Sequence, residues 1–114
     1  MTGDKTLATL VQLLYGVSTS PLINNMVSAV GVTAIQIAST NPRRLGITIV
    51  NNGLAALYIL PEPGVTAARG IYIAPAGGSI SMRWDIDFEL VSNAWYAIAA
   101  GAANDITVLE NISL

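Results

Sequence analysis

From residue 32 onward, apolar side chains fall on every second position. VTAIQIA places Ile35 and Ile37 on one face, and LGITIVN does the same with Leu45, Ile47 and Ile49. ALYIL follows with Leu57 and Ile59, GIYIA with Ile71 and Ile73, SISMRW with Ile80, Met82 and Trp84, and WYAIAA and ITVLE close the series. A period of two aims alternate side chains at a core and at solvent, which is the pleat of a strand. A helix cannot use this pattern, because its apolar stripe repeats every 3.6 residues. Turn formers separate the runs: STNP, NNG, PEPG, PAGG, SNA and GAAND. Short strands with such punctuation predict a sandwich or small barrel. The connections are too short for helical crossovers, so the pairing is expected to be antiparallel. The expected fold is therefore all-β, an antiparallel β-sandwich or jelly-roll-like domain over 32–114.

The first 31 residues read differently. Leu7, Leu10, Val11 and Leu14 fall at i, i+3, i+4 and i+7, which predicts a short helix over 5–15 with one apolar stripe. Thr2 and Asp4 can cap it, and Gly16 can end it. A helix this short is marginal alone in water, so it needs a surface to lie on. In VSTSPLINNMVSAVG, residues 17–31, Pro21 and the Asn24-Asn25 pair interrupt any period, and an extended arm is expected. The organisation read from sequence is a helix and arm at 1–31, acting as a tether, before the sandwich at 32–114. Lys5 followed by a short apolar stretch imitates a signal peptide, but Asp4 sits beside it and no A-x-A site follows. The segment is expected to belong to the mature protein.

Composition then narrows the function. Of 114 residues 53% are hydrophobic and only 11% charged, where about 25% charged is usual for a soluble domain. No apolar run is long enough for a membrane-spanning helix. The remaining outlet for this apolar surface is other protein, as in a subunit of an obligate assembly. A net charge of −2 argues against a nucleic-acid partner. The chain has no cysteine and no histidine, which removes thiolate chemistry, the commonest general base and the commonest metal ligand. Neither an enzyme nor a cofactor is expected.

Each candidate for chemistry has a plainer alternative. If SISMRWDIDFEL stays extended, Ile80, Met82, Trp84, Ile86, Phe88 and Leu90 share one face, and Arg83, Asp85, Asp87 and Glu89 share the other. Carboxylates about 6.5–7 Å apart along a strand could flank a glycosidic bond or contribute to a Ca²⁺ site. A straight strand splays such ligands, so a solvated face or ion pairs with arginine is the preferred reading. Ser, Thr and Tyr hydroxyls have no partner to activate them. PAGGS lacks a phosphate-loop lysine and reads as a turn. NNG reads as a turn too, since Asn and Gly tolerate positive φ. Trp84 shares the core phase of its strand. Trp95 begins a strand and is the tryptophan expected at the surface, where it could join Tyr58, Tyr72 and Tyr96 in stacking on sugars. Arg43 and Arg44 stand side by side in a chain with five basic residues. Arginine binds carboxylates bidentately and suits protein interfaces. The pair is expected to contact a neighbouring subunit or an acidic supporting surface, the plainer alternative being two solvated loop arginines.

Three stretches, NPRRLGITIVNNGLAALYI, VTAARGIYIAPAGGSISM and WYAIAAGAANDITVLE, together resemble the small capsid-associated proteins of tailed bacteriophages: head decoration, cement and head-fibre-like proteins. The resemblance spans residues 42–110 and rests on turns and strands, and residues 1–31 carry no part of it. It implies a β-rich module on the outer capsid surface of a virion. Such modules are commonly homotrimers, and they clamp neighbouring subunits of the major capsid protein. Under this reading Leu7, Leu10, Val11, Leu14, Arg43 and Arg44 are the partner-binding residues, with no role for nucleic acid, membrane or cofactor. The alternative is a carbohydrate- or receptor-binding β-sandwich module displayed on a virion.

Overall fold

The computed structural model describes residues 13–14, 19–101 and 104–113. Eight strands form two four-stranded sheets. In chain order they are β1 (Thr19–Val30), β2 (Ile35–Ala38), β3 (Arg44–Asn51), β4 (Leu57–Leu60), β5 (Ile71–Ile73), β6 (Gly78–Arg83), β7 (Trp95–Ala99) and β8 (Asn104–Ser113). One helical turn, α1 (Trp84–Asp87), and a 3₁₀ turn (Phe88–Val91) join β6 to β7. The first sheet has the order β1-β8-β3-β6 and the second β2-β7-β4-β5. Every pairing is antiparallel. This order defines an eight-stranded jelly roll. Only β4 and β5 are both paired and consecutive in the chain.

The alternating residues supply the core as the sequence predicts. Ile47 and Ile49 of β3, Leu57 and Ile59 of β4, Ala97 and Ala99 of β7, and Ile106 and Val108 of β8 are buried between the sheets. Among the described residues Trp95 is the largest fully buried side chain. Burying one aliphatic side chain of this size contributes about 1.5–3 kcal/mol. Ile71 departs from the pattern and stays 40% exposed, because β5 is an edge strand.

Three sequence expectations change. Residues 19–30, expected in an arm outside the sandwich, form β1, which pairs with β8 from Thr19↔Ser113 to Val30↔Asn104. Residues 19–30 are thus removed from the expected tether. NNG does not depend on positive φ, which among non-glycine residues is found at Ala76 and Phe88 and among glycines at Gly77. Asn51 is instead a buried amide bridging the sheets. Its Nδ2 donates to the Ala55 and Ile73 carbonyls at 2.9 and 3.3 Å, and its Oδ1 accepts from Gly53 N at 3.1 Å and Asn104 Nδ2 at 2.7 Å. Asn104 Oδ1 accepts from Ala55 N at 3.0 Å. Glycine is required at 53 by space, since a Cβ there would overlap the Asn104 amide. Lastly, SISMRWDIDFEL does not stay extended. Its strand ends at Arg83, and the rest folds into α1 and the 3₁₀ turn.

Candidate functional site

The opposite end of the sandwich from the Asn51–Asn104 bridge gathers Arg43, Arg44 and the segment 84–91. Arg44 opens β3 and is only 3% exposed. Its Nε donates to Glu110 Oε1 at 2.6 Å, and its Nη2 lies 2.5 Å from the same oxygen. Nη1 donates to the carbonyls of Val91 and Asn93, both at 3.0 Å, and Nη2 to that of Ser39 at 2.7 Å. One guanidinium thus ties β3 to β8, to the end of β2 and to the loop before β7. Glu110 completes the apolar-phase run of β8 as a buried residue, and Arg44 is the cation that makes its burial tolerable.

The two arginines therefore separate. Arg44 is occupied inside its own chain and has no surface left for a partner. Arg43 is exposed, with its N–H donating to Asn41 Oδ1 at 3.0 Å and its carbonyl accepting from Ser113 N at 2.7 Å. Of the other candidate contact residues, Leu14 is 73% exposed in a short helical piece. Leu7, Leu10 and Val11 lie outside the described residues.

The carboxylate row is dismantled by local bonding. Arg83 grips Asp85 bidentately, with Nε to Oδ1 at 3.0 Å and Nη2 to Oδ2 at 2.9 Å. Asp87 Oδ2 accepts from the Arg83 backbone N–H at 2.9 Å. These contacts bend the chain back on itself immediately after β6. Among the described residues no group of three acidic side chains is placed to hold a metal ion.

The same bend turns the former core phase outward. Trp84, Ile86, Phe88 and Leu90 are 46%, 59%, 73% and 43% exposed. Phe88 sits at φ +53°, ψ −125°, a conformation costly for a bulky residue, with its N–H on the Trp84 carbonyl. Val91 anchors the turn in the core at 1% exposure. Trp95 Nε1 holds it from below, donating to the Leu90 carbonyl at 3.0 Å. The result is an exposed apolar ridge on a pinned base. The tryptophans thus exchange the places expected of them: Trp95 is buried and Trp84 is partly exposed. No sequence signal marked the ridge, because apolar residues alternating with acidic ones are also the pattern of a strand with one solvated face.

The second sheet has a different outer face. Tyr58 lies between buried Leu57 and Ile59, and Tyr96 between buried Trp95 and Ala97, so both point away from the core. Tyr58 faces Tyr72 across the strand pair, with ring centroids 5.8 Å apart and planes at 59°.

Fold and site together describe a small jelly-roll module with an apolar ridge at one end. No protein-family model matches the chain, and no curated protein matches it. Among solved structures it is similar to one described as "Bacillus endospore appendages form a novel family of disulfide-linked pili". The TM-score is 0.50 at 15% identity, over 86% of this chain and 88% of that one. At that identity the likeness concerns the fold alone. A disulfide within this chain, or from it to a partner, is ruled out by the absence of cysteine.

Proposed function

We propose that this chain is a structural subunit of a multi-copy assembly, without catalytic activity. In its specific form, the proposal is a virion protein that decorates a bacteriophage capsid from outside. It would act as a homo-oligomer, with a trimer favoured, and stabilise the shell by bridging major capsid protein subunits. The observation that carries the reading is the apolar ridge, four large side chains held out on a braced turn. A folded module gains nothing by itself from such a surface, and burial against protein recovers it. β1 is an edge strand with no charged residue between Thr19 and Val30, its free edge interrupted by Pro21 and two register shifts. A clamp that binds only the assembled shell stabilises it by mass action. Arg43 remains exposed for an acidic contact at the same end.

The test is to band intact phage particles on a density gradient and quantify this chain against the major capsid protein. Copy numbers in fixed proportion to the shell support the reading. Its absence from intact particles refutes it.

The carbohydrate-binding alternative retains Tyr58, Tyr72 and Tyr96 but loses Trp95 to the core. The 59° tilt of the tyrosine pair also denies a sugar a flat two-ring platform. Affinity electrophoresis through neutral polysaccharides, with Tyr72→Ala as control, tests it. Retardation of the native chain alone would favour it.

A further inference from the structure

Asn52 is the only asparagine of the chain followed by glycine. A side-chain amide in that position can cyclise onto the backbone, because the following residue has no Cβ to obstruct the approach. Gly53 N gives up its proton to solvent and bonds to Asn52 Cγ. The Cγ–Nδ2 bond breaks, and ammonia leaves with a proton taken from water. Water then opens the five-membered imide at one of its two carbonyls, leaving Asp or isoAsp at position 52. The sum is one water consumed and one ammonia released, with nothing oxidised or reduced.

In the folded chain both reacting groups are already engaged. Gly53 N–H donates to Oδ1 of buried Asn51 at 3.1 Å, and Asn52 Nδ2 donates to Thr107 Oγ1 at 2.7 Å. The backbone is pinned on both sides of the step. Asn52 N–H donates to the Asp105 carbonyl at 2.9 Å, Ala76 N–H to the Gly53 carbonyl at 2.8 Å, and Gly77 N–H to the Asn51 carbonyl at 2.7 Å. Gly53 also lies so close to the Asn104 amide that even a methyl group would overlap it. Cyclisation needs the Asn52 amide to swing from Thr107 to Gly53 N, and it needs that N–H released from Asn51. Asn52 is itself exposed, so water is at hand once those contacts break.

We propose that Asn52 is a modification site held closed by the fold: its deamidation is blocked while Thr107 and Asn51 hold the two reacting groups, and proceeds when this end of the sandwich opens. The mark is then retained. IsoAsp lengthens the main chain by one carbon, so the Asn52 N–H and the Gly53 carbonyl cannot both return to Asp105 and Ala76 in register. Opening of the Asn51–Asn104 end is thereby converted into a permanent loss of its bonds. This inference is independent of the subunit reading above.

The test incubates the full-length chain at mildly alkaline pH, once in buffer and once unfolded in urea. Trypsin cuts after Arg44 and Arg69, and the peptide between them contains Asn51, Asn52 and no other asparagine. Mass spectrometry with fragmentation then follows the exchange of amide for acid at each position. Deamidation at 52 should be slower in buffer by at least about tenfold, since two hydrogen bonds must open together. Equal rates in buffer and urea, or a modification confined to Asn51, overturn the proposal. Thr107→Val removes the acceptor and keeps the side-chain shape, with circular dichroism checking the fold. It should raise the rate in buffer about three- to tenfold, the release expected from losing one hydrogen bond, and leave the rate in urea unchanged. A folded Thr107→Val chain that deamidates no faster than the native one overturns the hold assigned to Thr107. Chains carrying isoAsp after urea treatment, returned to buffer, should unfold at lower urea than unmodified ones. Identical midpoints overturn the claim that the mark is retained as lost bonding.

Discussion

Replacing Arg44 with Met removes the cation paired with the buried Glu110 carboxylate. The Met side chain fills similar volume, so the cost is electrostatic. Glu110, 7% exposed, is left without its partner, and the carbonyls of Val91, Asn93 and Ser39 each lose a donor. Breaking a buried pair from one side costs about 3–5 kcal/mol. A domain of this size has about 5–15 kcal/mol in total. A loss of about 4 kcal/mol, with a urea m-value of about 1.5 kcal/mol/M, lowers the unfolding midpoint by about 2–3 M. Fluorescence of buried Trp95 reports the transition, since the turn it binds through Leu90 is the one Arg44 holds through Val91. The informative variant is the double replacement, Arg44→Met with Glu110→Leu. Removing both charges eliminates the stranded carboxylate, so the double variant should be more stable than Arg44→Met alone. A single substitution costing under about 1 kcal/mol would show that the pair is not desolvated. A double variant no more stable than Arg44→Met alone would refute the argument that burial of Glu110 sets the cost.

At the other end of the sandwich, Gly53→Ala should cost about 2 kcal/mol by urea unfolding, because its Cβ overlaps the Asn104 amide. The same change should cost measurably less in an Asn104→Ala background, where that amide is gone. Phe88→Gly should raise the melting temperature by roughly 4 °C in calorimetry, since relief of an unfavourable φ contributes about 1 kcal/mol. Iodide should quench the fluorescence of Trp84 and spare Trp95, so Trp84→Phe should abolish most of the quenchable signal.

The alternation of apolar residues was legible because each strand carries its own two-sided pattern. Ile47, Ile49, Leu57, Ile59, Ile106 and Val108 reach the core positions that their runs predict. The same logic failed for SISMRWDIDFEL, where the pattern outlasts the strand. β6 needs β3 beside it, and β3 begins at Arg44, so residues beyond Arg83 soon have no ladder partner. Asp85 and Asp87 then fold back on Arg83, and the apolar phase turns to solvent. Trp84 and Trp95 exchanged places for this reason. The Arg43-Arg44 pair was visible as unusual, but its division between solvent and core was not. That division depends on Glu110, 66 residues away in sequence, and on three carbonyls from two other segments.

From the sequence alone follow the strands β2 to β8 and the inward faces of β3, β4 and β8, since these depend on neighbours within a few residues. It also determines the charge-poor surface and the lack of cysteine and histidine, which are matters of composition. Tertiary structure decided the jelly-roll order, the entry of residues 19–30 into the first sheet, the burial of Arg44 and the exposure of the ridge. These depend on which distant segment lies beside each residue, and all but one of the strand pairings join strands that are not consecutive in the chain. Periodicity states which face of a strand is buried, and only the assembled sheets state what lies against it.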